Sequence, residues 1–290
     1  MIPKDYITEW RRTAPWTHDA QVEQDLVISR ALGEMFGNSI IREHLVFRGG
    51  TALYKLYSPR QVRYSEDIDL VQAKPGAIGK IVDELRSLLD PWLGQPRRVF
   101  VEDSVKLVYR FQSEDIPSIP LRLKIEINTR EHGSLYGTAT RPLNIVSRYY
   151  SVKTEIPTYQ LEELLGTKMR ALYQRKKGRD LFDMWYFFKN TDAESRKIVE
   201  CFQWYTAREG KTPSRANFES NLHDKSKDHS FGREVEPFLA QGVMWDPHGA
   251  MRTIHDKLVS KLTGEPWKGN ARLEKKSKEK IYHGSANNNQ

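Results

Sequence analysis

The chain has 290 residues, 38% of them hydrophobic and 11% aromatic, enough to bury the core of one large domain or two modest ones. A single cysteine, Cys201, excludes an internal disulfide framework and any cysteine-based zinc knuckle. Its 46 Lys+Arg against 38 Asp+Glu leave a net charge of +8, which admits a polyanionic partner without demanding one. With no apolar run of about 18 residues and no apolar core in MIPKDYITEWRRTAPW, neither a membrane span nor a secretory leader is expected, and a reducing cytoplasm is the default compartment.

Residues 20–37 place Val22, Leu26, Val27, Ala31, Leu32 and Phe36 at helical spacing, and Gly37-Asn38 ends the run. Leu45-Val46-Phe47 predicts a short strand running into Arg48-Gly49-Gly50-Thr51, with a short helix over Ala52–Leu56. Ile68 and Leu70 alternate with Asp67 and Asp69, a second strand. Residues 76–93 predict a helix, 105–112 and 119–128 a hairpin-like strand pair, and 149–155 another strand. After Pro157 the pattern turns helical, over 159–189, 193–208 and 249–262. The expected organisation is an α/β lobe over 1–156, a helical lobe over 157–269 and a polar basic tail, frayed, over 270–290.

Four segments carry chemistry. In FRGGTALYKLY, paired glycines after a strand let backbone N–H groups approach an anion, although such a turn also serves as plain chain reversal. In RYSEDIDLV, Asp67 and Asp69 stand two apart and share a strand face, where a divalent cation would relieve their repulsion. A solvated edge strand is the alternative. Ser65, two residues earlier, would lie on the same face, and phosphate added there would oppose a metal–triphosphate complex. In LRLKIEINT, Leu121, Leu123, Ile125 and Ile127 alternate with Arg122, Lys124, Glu126 and Asn128. Glu126 becomes a third carboxylate, a metal ligand or a base, if its strand neighbours Asp67 and Asp69.

The fourth segment is YQLEELLGTKMRALYQRKKGRDLFDMWYFF. Lys168 sits within an apolar stripe, where it either snorkels or reaches a triphosphate; in the second case its removal would cost little stability. From Leu165 to Asp180 there are six basic residues and one acid: Lys168, Arg170, Arg175, Lys176, Lys177 and Arg179 against Asp180. Gly178 breaks the helix, and Asp180 and Asp183 then share a face, with Arg179 and Asp183 spaced for an i, i+4 ion pair.

Taken in order, FRGGTALYKLY, RYSEDIDL, KIEIN and LLGTKMRALYQRKKGRDLFDMWYF resemble the AbiEii/AbiGii family of the DNA-polymerase-β-like nucleotidyltransferases. These are toxins of type IV toxin–antitoxin and phage-abortive systems. The resemblance covers roughly residues 20–190 and the last third only loosely. It implies an α+β fold, a mixed nucleotidyltransferase sheet with helices followed by a mostly helical C-terminal lobe that closes on the nucleotide. It further implies Mg²⁺ at Asp67 and Asp69, and an NTP held by Gly49, Gly50, Thr51, Ser65 and Lys168. Lys168, Asp183 and Glu126 are implied to complete the catalytic set, with Thr51 standing where the wider superfamily more often has Ser. The implied acceptor is a tRNA 3′ end, its backbone tracked by Arg170, Arg175, Lys176, Lys177 and Arg179, and a cognate antitoxin is an implied partner. A protein hydroxyl as acceptor, a metal-dependent nuclease and a non-catalytic nucleic-acid-binding protein are the alternatives.

Overall fold

The computed structural model describes residues 2–269, and the tail predicted over 270–290 lies outside the described residues. Three helices open the chain: α1 (Lys4–Trp10), α2 (Asp19–Gly37) and α3 (Ser39–His44). Strand β1 (Leu45–Arg48) leads directly into α4 (Gly49–Ala52), which continues as a wider π-helical turn over Leu53–Tyr57. The glycine pair is thus the first turn of a helix that begins earlier than the predicted Ala52. β2 (Asp67–Gln72), α5 (Gly79–Leu93), β3 (Arg97–Val101), β4 (Ser104–Gln112), β5 (Pro120–Asn128), β6 (Thr138–Val146) and β7 (Ser151–Tyr159) follow. The remainder is helical: α6 (Leu161–Gln174), α7 (Gly178–Asn190), α8 (Ser195–Arg208), α9 (Arg215–Ser226), α10 (His229–Arg233) and α11 (Pro247–Lys257).

The strands form one mixed sheet in the order β3-β4-β5-β2-β1-β7-β6, parallel at β2/β5 and β1/β7 and antiparallel elsewhere. Strand periodicity divides its residues between two cores. Phe47, Ile68, Leu70, Val105, Leu107, Leu123, Ile125 and Ile127 pack with the buried face of α2 and with Ile81, Val82, Leu85 and Leu89 of α5. Val46 and Val71 point the other way, into a second core with Leu164, Leu165, Met169, Phe182 and Phe187 of the helical part. Because Val71 faces that second core, Asp67 and Asp69, in the same phase of β2, also look toward the helices.

β7 carries the chain through position 156 to Tyr159 before it leaves the sheet. The helical part also returns: Tyr64 N–H donates to the Phe238 carbonyl (2.7 Å), Ala240 N–H donates to the Val62 carbonyl (2.9 Å), and Ala240 joins the first core. Strands β3 and β6 were absent from the sequence reading because both are edge strands with mostly exposed side chains, and β6 also carries Pro142.

Close helix packing fixes α6 on α8. A Cβ on Gly166 would stand 2.4 Å from Cys201 Cβ and 3.1 Å from the Ile198 carbonyl oxygen. Gly166→Ala is therefore expected to destabilise by about 1–3 kcal/mol of overpacking, more than the roughly 1 kcal/mol it gains in helix propensity. Thermal melting checks this; an unchanged or higher Tm would show that the two helices separate without cost.

Candidate active site

The parallel pairing of β2 with β5 sets Asp67 beside Lys124 and Asp69 beside Glu126, so three carboxylates and an ammonium share one patch of sheet. Lys124 Nζ lies 3.0 Å from Asp67 Oδ2 and 3.2 Å from Glu126 Oε2, and Lys106 Nζ lies 3.0 Å from Glu126 Oε1. Burial alone would raise Glu126, but hydrogen bonds and charge from Lys106 and Lys124 carry its pKa below the ordinary value. Asp69 moves the opposite way: burial, then the neighbouring Asp67 charge, pushes its pKa up. Asp67 Oδ1 is buried and has no hydrogen-bond partner. An unpartnered carboxylate oxygen beside a second, strained carboxylate is a hard-oxygen donor pair suited to a divalent cation. Among the described residues no three His, Cys, Asp or Glu side chains form a cation cage.

Above this pair sits the glycine turn. Gly49 has φ +84°, and a Cβ there would stand 2.2 Å from Asp69 Oδ2; both the backbone angle and the close approach require glycine. A Cβ on Gly50 would come within 2.6 Å of Arg63 Nη2 and 3.6 Å of Lys168 Nζ, which places two cations directly beneath the turn. Gly49, Gly50, Ser65, Asp67, Asp69, Glu126, Lys168, Arg170, Arg175 and Arg179 all line one cavity of about 410 Å³.

Thr51, Asp183, Lys176 and Lys177 do not line it. The Thr51 hydroxyl is 2% exposed and turned inward, to the Asp67 carbonyl and to Ser65 Oγ at 2.9 Å. It ties the glycine turn to β2 instead of meeting phosphate. Ser65 precedes the start of β2, so its place in the cavity comes from this bond and not from strand alternation.

Asp183 is wholly buried, and its partners correct the expected Arg179 pairing. Arg63 grips it with two bonds (Nε 2.6 Å, Nη2 3.0 Å), Tyr54 OH donates at 2.8 Å and Lys168 Nζ lies at 2.8 Å. Burial opposes ionisation, yet Arg63 and then Lys168 hold the Asp183 pKa down to about 2. Lys168 also meets Asp180 at 3.2 Å, and Arg175 binds both oxygens of Asp180 (2.7 and 2.8 Å). Lys168 is thus neither snorkelling nor freely extended but locked between two aspartates, and its replacement would cost stability, contrary to the sequence expectation.

The same pairing alters the basic segment. Arg170 is paired with Glu131 and Glu209, Arg175 with Asp180, Lys176 with Asp228 and Lys177 with Glu234. The segment is less open than the cationic track expected, because Asp180 within it and Glu131, Glu209, Asp228 and Glu234 from elsewhere pair with five of its six cations. Arg179 alone of the six makes no ion pair among the described residues, and it lines the cavity. Sequence reading missed Arg63, Lys124 and Tyr54. Arg63 lies four residues before Asp67, and Lys124 two before Glu126, but nothing local distinguishes either from a solvated cation.

The site sets paired carboxylates beside a helix-opening glycine turn with buried positive charge under it, and the chain is a nucleotidyltransferase. Its residues 30–248 match the family model described as nucleotidyl transferase AbiEii toxin of type IV toxin–antitoxin systems. The chain belongs to that family of nucleotidyltransferase toxins, as its motifs implied. No curated protein matches it significantly in sequence. Among solved structures it is similar to MenT4, a nucleotidyltransferase toxin of Mycobacterium tuberculosis, at TM-score 0.64 and 13% identity over 91% of each chain. It is also similar to JHP933 of Helicobacter pylori, at TM-score 0.43 and 15% identity over 84% of this chain and 95% of that one. The first likeness bears out the mixed-sheet α+β fold. No helix among the described residues is long and apolar enough to cross a membrane.

Asp183→Asn leaves Arg63 and Lys168 buried without their main counter-charge and is expected to lose about 3–5 kcal/mol in urea unfolding at neutral pH. With its folded pKa near 2 against an ordinary 3.8, Asp183 contributes stability fully above pH 3.8 and loses it as pH falls toward 2. The variant should lack this part of the acid-side slope. An unchanged urea midpoint would mean that the ion network does not hold the helices to the sheet.

Proposed function

We propose that this toxin transfers a nucleotide from a Mg²⁺-bound NTP to the 3′ end of a tRNA, blocking translation and growth. The observation that carries the reading is the buried, unpartnered Asp67 Oδ1 beside Asp69, directly under the Gly49-Gly50 turn. Asp67 and Asp69 are the residues that would hold Mg²⁺, which when bound supplies Lewis-acid neutralisation of phosphate charge. The backbone N–H groups of Gly49 and Gly50 offer donors to the triphosphate, and Lys168, with Arg63 beside it, places positive charge behind them.

The acceptor hydroxyl oxygen bonds to the α-phosphorus as the bond to the bridging oxygen breaks, and pyrophosphate leaves with that electron pair. The hydroxyl proton passes to solvent. Glu126 is a weak base for it, since Lys106 and Lys124 hold the carboxylate ionised; its stronger part is to fix Lys124 against Asp67. Arg179, lining the cavity without an acidic partner among the described residues, is placed to meet acceptor phosphate. The deciding experiment supplies each of the four NTPs with total tRNA and Mg²⁺ and maps any added nucleotide; shortened RNA would indicate a nuclease, and labelled protein a different acceptor.

Asp69→Asn tests the metal pair itself. Removing one of two mutually repelling carboxylates should leave the metal-free Tm unchanged or higher, while transfer falls by a factor on the order of 10² or more and the Tm rise on adding Mg²⁺ with NTP is lost. Near wild-type transfer with a lowered Tm would mark the pair as structural.

A further inference from the structure

A second and larger cavity, about 980 Å³, is lined in part by Tyr54, Gln61 and Val62. Its walls come from five stretches: the end of α1 and the loop after it, Ser29 of α2, residues 54–62, residues 143–145 of β6, and residues 240–243 returning from the helical part. Arg11, Arg12, Lys55 and Arg60 line it, and no acidic residue does. In a chain with 38 acids to 46 bases, such one-sidedness is not the average surface. Two of these cations are neutralised from behind, Arg11 by Asp19 and Lys55 by the buried Asp25. Arg12 and Arg60 are exposed and make no ion pair among the described residues. Trp16, which lines the cavity and is 1% exposed, has a buried indole N–H with no acceptor.

We infer that this groove is a docking surface for the acceptor RNA, with Arg12 and Arg60 on its phosphodiester backbone. This rests on the acceptor reading above and changes where the RNA runs. Five of the six cations of the 165–179 segment are ion-paired, leaving Arg179, whereas two of the groove's four, Arg12 and Arg60, are unpaired among the described residues. Gln61 and Val62 face the groove, while Arg63, the next residue, faces the catalytic cavity; Tyr54 lines the groove and bonds Asp183 behind the catalytic one. Val62 and Arg63 are consecutive, with Cα atoms about 3.8 Å apart, so the two cavities approach each other there.

The test measures tRNA binding against salt and steady-state transfer for the full chain and for the double variant Arg12→Glu, Arg60→Glu, with Arg12→Gln, Arg60→Gln beside it. Both positions are exposed, so the fold and the KM for NTP should hold. The charge-reversed variant should bind tRNA roughly tenfold or more weaker, and the slope of log Kd on log salt should fall by about 1.4, two single-strand phosphate contacts. The glutamine variant should show a smaller loss of affinity and the same change in slope. Transfer to tRNA by the wild type together with unaltered tRNA affinity and salt slope in both variants would overturn the groove and leave the acceptor reading standing. Failure of the wild type to label any RNA would overturn the acceptor reading; if the variants then still lost tRNA binding, the groove would stand as an RNA surface on its own.

Discussion

The Asp183 carboxylate is the point on which the two halves of this enzyme are joined. It lies on α7, and its partners come from three other elements: Lys168 from the neighbouring α6, and Arg63 and Tyr54 from the sheet half, in the loop before β2 and the π-helical turn. Burying so much charge is costly, and the cost is offset only if every member stays paired. This constraint fixes the relative positions of the glycine turn, the loop before β2 and α6, because displacing any one strands a buried ion. It also places Lys168 and Arg63 beneath Gly50 with little conformational freedom.

Against this fixed base the sheet supplies the opposite charge. β2 lies between β1 and β5, so that Arg48, Asp69 and Glu126 stand in register across three strands. Strand alternation turns Ile68 and Leu70 into the first core and sends Asp67 and Asp69 toward the helices. The cavity therefore has Asp67, Asp69 and Glu126 on its sheet side, with Arg48 and Lys124 among them, and Lys168, Arg170, Arg175 and Arg179 on its helical side.

The larger groove differs in kind. Its arginines face no acid across the cavity, and the donor at Trp16 is unpaired. The catalytic cavity is compensated within itself, whereas the groove is compensated only in part and only from behind.

Much of this was legible in the chain. Asp67 and Asp69 two apart on an apolar strand, the glycine pair after β1, and the alternation of Leu123, Ile125 and Ile127 with Lys124 and Glu126 are local patterns set by backbone geometry, which any context preserves. The helices with a strong apolar stripe were legible for the same reason, while α9, whose apolar positions do not form one face, and the exposed edge strands β3 and β6 were not. Only the tertiary structure decided which charges meet. Lys176 and Lys177 read as free cations until Asp228 and Glu234 are brought against them, Asp183 reads as an i, i+4 partner of Arg179 until Arg63 arrives from 120 residues away, and Thr51 reads as a phosphate contact until its hydroxyl is turned onto β2. Periodicity is a property of neighbouring residues and survives in a string of letters; charge pairing depends on distances across the fold, which sequence separation does not encode.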